Sequence, residues 1–115
     1  MIIINTTPHP VNVYHGVNVT RFPPSATTIR LMTDTKPIGK INGITLVKST
    51  VSEVVDLPDE IEGTWLITSS IVAMAVPERG DLIVPYHFMR DGDGNIIGCQ
   101  SFASYSTVDF DKEIG

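Results

Sequence analysis

The chain has 115 residues, 42% of them hydrophobic and 18% charged, with eight Lys and Arg against thirteen Asp and Glu for a formal net charge of −5. That length supports one hydrophobic core and excludes an active domain plus a second module, and the composition excludes intrinsic disorder. The acidic balance excludes a DNA or RNA partner, which needs clustered cations to displace counterions; a small nucleotide stays open because it needs only one or two local cations and some backbone N–H groups.

Cys99 is the single cysteine, which rules out an internal disulfide framework and a cysteine-based metal site within one chain and fits a reducing, cytoplasmic location. The apolar start Met1 to Ile4 gives way at once to Asn5-Thr6-Thr7, so neither a secretory leader nor a membrane span is expected. The two sequons, at Asn5 and Asn18, then lack a secretory context.

In chain order, Ile2 to Ile4 and Val11 to Tyr14 are expected as strands on either side of Pro8-His9-Pro10, which cannot sit inside a central strand. Val11 to Tyr14 and Val17 to Thr20 alternate apolar with polar residues around His15-Gly16, a hairpin signal. Phe22-Pro23-Pro24-Ser25 breaks the pattern and Thr27 to Met32 resumes it. Pro37-Ile38-Gly39 breaks it again before Lys40 to Lys48, with Asn42-Gly43 as a two-residue turn. Val51 to Leu57 is the next strand, ended by Pro58. Thr64 to Thr68 is a strand leading into one short helix, about residues 69–77, which Pro77 stops. Asp81 to Pro85 and Tyr86 to Arg90 read as extended, followed by the Asp91 to Asn95 turn and a strand over Ile96 to Phe102.

Many short strands about ten residues apart with one short helix predict a mainly β fold, a small barrel or a folded-over antiparallel sheet. A single domain is expected over residues 1–107, with an acidic C-terminal tail over residues 108–115.

The oxygen-rich Asp91-Gly92-Asp93-Gly94-Asn95 run fails as a calcium loop. Its sixth position is Ile96 where Gly is needed, and its twelfth is Phe102 where a bidentate Glu is needed. It reads as ordinary turn chemistry. His9, His15 and His87 lie far apart without metal-ligand spacing, and no nucleophile elbow or phosphate loop is present. The expectation is therefore no enzyme, no cofactor and no metal.

What remains is Thr68, Ser69 and Ser70 at a helix start, Arg79 and Asp81 just past its end, and Arg90 at a turn. Hydroxyls with helix N–H groups and arginines match phosphate geometry. Each also has a plain structural reading: Ser as an N-cap, Arg79 paired locally with Asp81, Arg90 fixing its turn. His9 and Asn12 are candidate rim contacts, and Trp65, Tyr86 or Phe88 offer aromatic faces for a base.

The opening Ile4 to Val13, the Phe22-Pro23-Pro24-Ser25 turn, Gly63-Thr64, Pro77 to Pro85, Arg90-Asp91 and Ile97-Gly98-Cys99 together span nearly the whole chain. They resemble a family of small proteins of bacteriophages, prophages and actinobacteria. The resemblance implies a phage or mobile-element setting rather than a chemistry, and carries over no catalytic residue. In that setting two functions compete. One is a homo-oligomeric sponge that sequesters a phosphorylated nucleotide immune signal without turnover, bound near Ser69, Ser70, Arg79, Arg90, His9 and Asn12. The other is a structural or protein-interaction accessory, such as a virion component or a partner-blocking inhibitor.

Overall fold

A computed structural model of the chain describes residues 1–108; the expected acidic tail, but for Val108, lies outside them. The fold is mainly β: strands β1 (Ile2–Asn5), β2 (Val11–His15), β3 (Asn18–Phe22), β4 (Arg30–Ile41), β5 (Ile44–Val55), β6 (Thr64–Ile67), β7 (Leu82–Arg90) and β8 (Ile96–Ala103), with one helix, α1 (Ser70–Ala75). Among the described residues, six strands form one sheet in the order β1-β6-β7-β8-β2-β3, and β4 pairs only with β5. A bridge from Asn5 to Pro24, just beyond β3, brings the two ends of the sheet together, so the barrel is nearly closed.

Strand directions are mixed rather than all antiparallel. β1 runs parallel to β6, β6 to β7, and β2 to β8, whereas β7–β8 and β2–β3 are antiparallel. The parallel β6–β7 step needs a crossover, and residues 68–81 supply it through α1. Central parallel strands are covered on both faces, so they read as continuous apolar runs rather than as alternation. Leu66, Ile67, Leu82, Ile83 and Val84 are all buried accordingly. Leu66, Leu82 and Val84 pack with Ile29 and with Val72 and Ala73 of the helix, and Leu31 and Val54 at the base of the β4–β5 ribbon close over this core.

The helix is shorter than the expected 69–77. Ser69 is its N-cap, and Val76 has already left helical geometry, a full residue before Pro77. The residue before a proline is pushed out of the helical region, which moves the stop upstream. Three strand boundaries also differ from expectation. The expected Lys40 to Lys48 segment and the expected Val51 to Leu57 strand are joined through Ser49-Thr50 in the single strand β5, which ends at Val55. Pro37-Ile38-Gly39 does not end a strand: β4 runs through it to Ile41, leaving Ile38 unpaired as a bulge while Pro37 faces Val47 and Gly39 faces Leu46. The segments expected on either side of Pro85 form the single strand β7, in which Pro85 lies opposite Phe102.

The turns follow local chemistry. Gly16 (φ 60°), Asn42 (φ 49°) and Gly43 (φ 81°) occupy the left-handed region that two-residue hairpin loops require. The Pro8-His9-Pro10 bend is held by buried Asn5, whose Oδ1 accepts from the Thr7 N–H and hydroxyl while its Nδ2 donates to the carbonyls of His9 and Phe22. Among the described residues every buried side-chain nitrogen and oxygen has a hydrogen-bond partner, and no helix is long and apolar enough to cross a membrane.

Candidate functional site

Strands β1, β6 and β7 run the same way, so their carboxyl ends emerge on one side of the sheet. In sheets with parallel strands that is where the chain leaves regular pairing and where ligand crevices form. Here the departing segments are Thr6-Thr7 and Thr68-Ser69-Ser70, and beside them β7 runs on past Ile83, where its pairing with β6 ends, through Pro85-Tyr86. Thr6 is bolted to the end of β6: its N–H and its hydroxyl both donate to the Ile67 carbonyl, at 3.0 and 2.7 Å. Thr68 N–H donates to the Ile83 carbonyl at 2.9 Å. These bonds place Thr7 and Ser69 side by side.

Ser69 lies where two clefts meet. One, of about 330 Å³, is lined by Thr7, Ser69, Ser70 and the aromatic rings of Tyr86, Phe88 and Tyr105. The other, of about 460 Å³, shares Thr7 and Ser69 and adds Thr28 and Arg30. A continuous surface thus runs from Arg30, across Thr28, Thr7, Ser69 and Ser70, to three half-exposed aromatic residues. Its size is in the range of small-molecule sites. Arg30 pairs with Asp56 at 3.5 Å, with both side chains more than half exposed. A surface pair of this kind contributes little and yields readily to a better anion.

Of the residues expected at the site, Ser69 and Ser70 line this cleft. The Ser69 hydroxyl accepts from the Val72 N–H at 3.3 Å, a capping bond that occupies one of its lone pairs. Asn12 lies in an adjoining groove of about 190 Å³ that shares Val11, Pro85 and Phe88 with the Ser69 cleft, and its Nδ2 donates to the Ile97 carbonyl at 3.3 Å. His9 contributes its backbone carbonyl to the Asn5 bend, and its ring is exposed.

The two expected arginines stand elsewhere. Arg79 precedes the amino end of β7, opposite to the hydroxyl end, where its Nε and Nη2 donate to the two Asp81 carboxylate oxygens at 2.9 and 2.7 Å. Glu60 lies 3.7 Å away. The hydrogen bond to Asp81, only partly opposed by burial, raises the Arg79 pKa still further. Arg90, at the far end of β7, donates to the Gly94 carbonyl at 2.8 Å and closes the Asp91 turn. In that turn backbone N–H groups of Asn95 and Asp93 hold the Asp91 carboxyl below its usual range. Trp65 faces another surface, beside Glu60 and Gly63.

Sequence reasoning missed Arg30, Thr7 and Tyr105. Arg30 and Thr7 are distant from Ser69 along the chain; the bond from the Ile29 N–H to the Thr6 carbonyl and the burial of Ile29 in the core bring the 28–30 segment alongside. His87 is more exposed than a half-buried strand position and takes φ 53°, stacks on Tyr86 at 4.5 Å, and shares a 2.7 Å hydrogen bond between Nδ1 and the Ser101 hydroxyl. Among the described residues no three His, Cys, Asp or Glu side chains converge to hold a metal ion. Comparison of the chain with protein-family models, with curated proteins and with solved structures gives no match.

Proposed function

We propose that this protein binds a small phosphorylated, nucleotide-like molecule in the Ser69 cleft and holds it without turnover, as a homo-oligomer in the cytoplasm of a phage-infected bacterial host. In that setting it acts as a sponge for a nucleotide immune signal. The observation that carries this reading is the juxtaposition of Arg30 and the Ser69 and Ser70 hydroxyls with the rings of Tyr86, Phe88 and Tyr105. Guanidinium and hydroxyl donors suit phosphate oxygens, and aromatic faces suit a base.

Native mass spectrometry of protein purified from cells with active nucleotide-based immunity tests the reading, followed by titration with a panel of cyclic nucleotides and ADP-ribose isomers. A stoichiometric adduct of nucleotide mass is expected. For the ligand so found, Arg30→Ala and Phe88→Ala should each weaken binding roughly tenfold or more, whereas Arg90→Ala, at the far end of β7, should leave it unchanged. A clean apo mass throughout the panel would favour the second reading, a structural or protein-interaction accessory. Its supporting observation is the row of exposed apolar side chains on β4 and β5, among them Ile41, Ile44 and Leu46.

A further inference from the structure

Strands β2 and β8 meet in register at Val13 and Cys99 and part on the side of that pair toward Pro10 and Ile96. Pro10 has no N–H with which to extend the ladder. β8 also bulges here: Met89 faces Gly98 and Arg90 faces Ile96, which leaves Ile97 out of the register. The Asn12 side chain bridges the two strands instead, its Nδ2 donating to the Ile97 carbonyl at 3.3 Å. The result is the groove of about 190 Å³ beside the Ser69 cleft, walled by Val11, Pro85, Phe88, Ile96 and Ile97 together with Asn12.

Phe88, Ile96 and Ile97 are 53%, 53% and 38% exposed, so the walls are apolar surface that a ligand can still remove from water. The groove shares Val11, Pro85 and Phe88 with the aromatic cleft, and the aromatic cleft shares Thr7 and Ser69 with the cleft that holds Arg30. The groove and the Arg30 cleft have no lining residue in common. The aromatic cleft therefore lies between the other two. Along the surface the order is cation, hydroxyls, aromatic rings, apolar groove.

We infer that the ligand is a nucleotide whose base carries an apolar substituent on the edge away from its ribose phosphate, and that the groove takes this substituent. This deepens the nucleotide reading above and rests on it. With the phosphate at Arg30 and the base against the rings of Tyr86, Phe88 and Tyr105, the part of the ligand that reaches the groove is the far edge of the base. On adenine that edge bears the 6-amino group, across the ring system from the ribose bond. At the ~30 Å³ taken up by one water molecule, the groove has room for about six heavy atoms, which fits a benzyl or isoprenoid group and is too small for a second nucleotide. A charged or hydroxylated substituent would lose its water among these walls without regaining partners, since the Asn12 Nδ2 is already committed to the Ile97 carbonyl.

The test is titration calorimetry on the full chain with three probes: AMP, AMP benzylated on its 6-amino group, and AMP carboxymethylated there. The benzyl form should bind roughly tenfold tighter than AMP or more, as filling an apolar pocket allows, and the carboxymethyl form should gain nothing. Ile96→Glu, at a half-exposed position and verified as folded by circular dichroism, sets a carboxylate in the groove and should erase the benzyl gain. Arg30→Ala should weaken AMP and its benzyl form alike. If AMP binds and the benzyl group adds nothing, if both substituents help equally, or if the gain survives Ile96→Glu, this inference alone is overturned. If AMP and its benzyl form bind and Arg30→Ala moves neither, the Ser69 cleft reading falls and this inference with it. If no probe binds, the inference falls, and the mass of the ligand retained from cells decides the nucleotide reading by itself.

Discussion

The Arg79 guanidinium lies flat against the Asp81 carboxylate, donating twice, at 2.9 and 2.7 Å, with the two side chains only 15% and 7% exposed. The pair anchors the entry to β7, where the Asp81 carbonyl also accepts the Leu66 N–H. Replacing Arg79 by Leu strands a buried carboxylate, and removal of one partner from a buried pair costs about 3–5 kcal/mol. Chemical denaturation should show that loss. Lower affinity for a nucleotide at unchanged stability would contradict this structural role.

Ser69 has two separable duties, capping α1 and facing the cleft. Ser69→Ala removes the bond to the Val72 N–H and should destabilise the fold by about 1 kcal/mol, since Val72 and Ala73 are core residues. Ser69→Asp retains a cap but places a negative charge in the cleft. The aspartate variant should therefore keep most of the natural melting temperature and lose binding to any phosphorylated ligand, a split that melting curves and titration calorimetry resolve.

Gly98 is needed for contact rather than conformation. A Cβ there would stand 2.5 Å from Cε2 of Tyr14 and 2.7 Å from the Asn12 carbonyl oxygen. The approach occurs where β8 meets β2 in parallel, with Val13 facing Cys99. The backbone carbonyl has little freedom to yield, so Gly98→Ala should cost about 1–3 kcal/mol by overpacking. Gly92→Ala, with nothing within 4 Å and no positive φ, is the matched control and should be nearly neutral in the same melt.

Cys99 is 1% exposed, and burial pushes its thiol above the ordinary value of 9.0. A group whose folded-state pKa is raised contributes stability that is fully present below its unfolded value and lost as pH rises through the folded one. The natural chain should thus lose stability more steeply than Cys99→Ala as pH rises past the ordinary thiol value of 9.0, as followed by denaturant midpoints. Near neutrality a thiol reagent should label Cys99 only as fast as the barrel opens.

The mainly β class, the single helix and the positions of the tight turns were legible in the sequence because they depend on neighbours along the chain. Gly16 and Asn42-Gly43 accept left-handed angles at little cost, Ser69 can cap only a helix that begins beside it, and Pro77 stops a helix that has already run past its first turn. Strand direction, the run of β4 through Pro37, and the whereabouts of each arginine were not legible, because they follow from pairings between distant segments. Arg79 and Ser69 are ten positions apart yet sit at opposite ends of the parallel strands, whereas Arg30, thirty-nine positions from Ser69, shares a cleft with it once the Ile29 N–H bonds to Thr6. Residue types restricted the chemistry on offer to hydroxyls, guanidinium groups and aromatic rings; pairings and packing between distant segments decided which of them stand together.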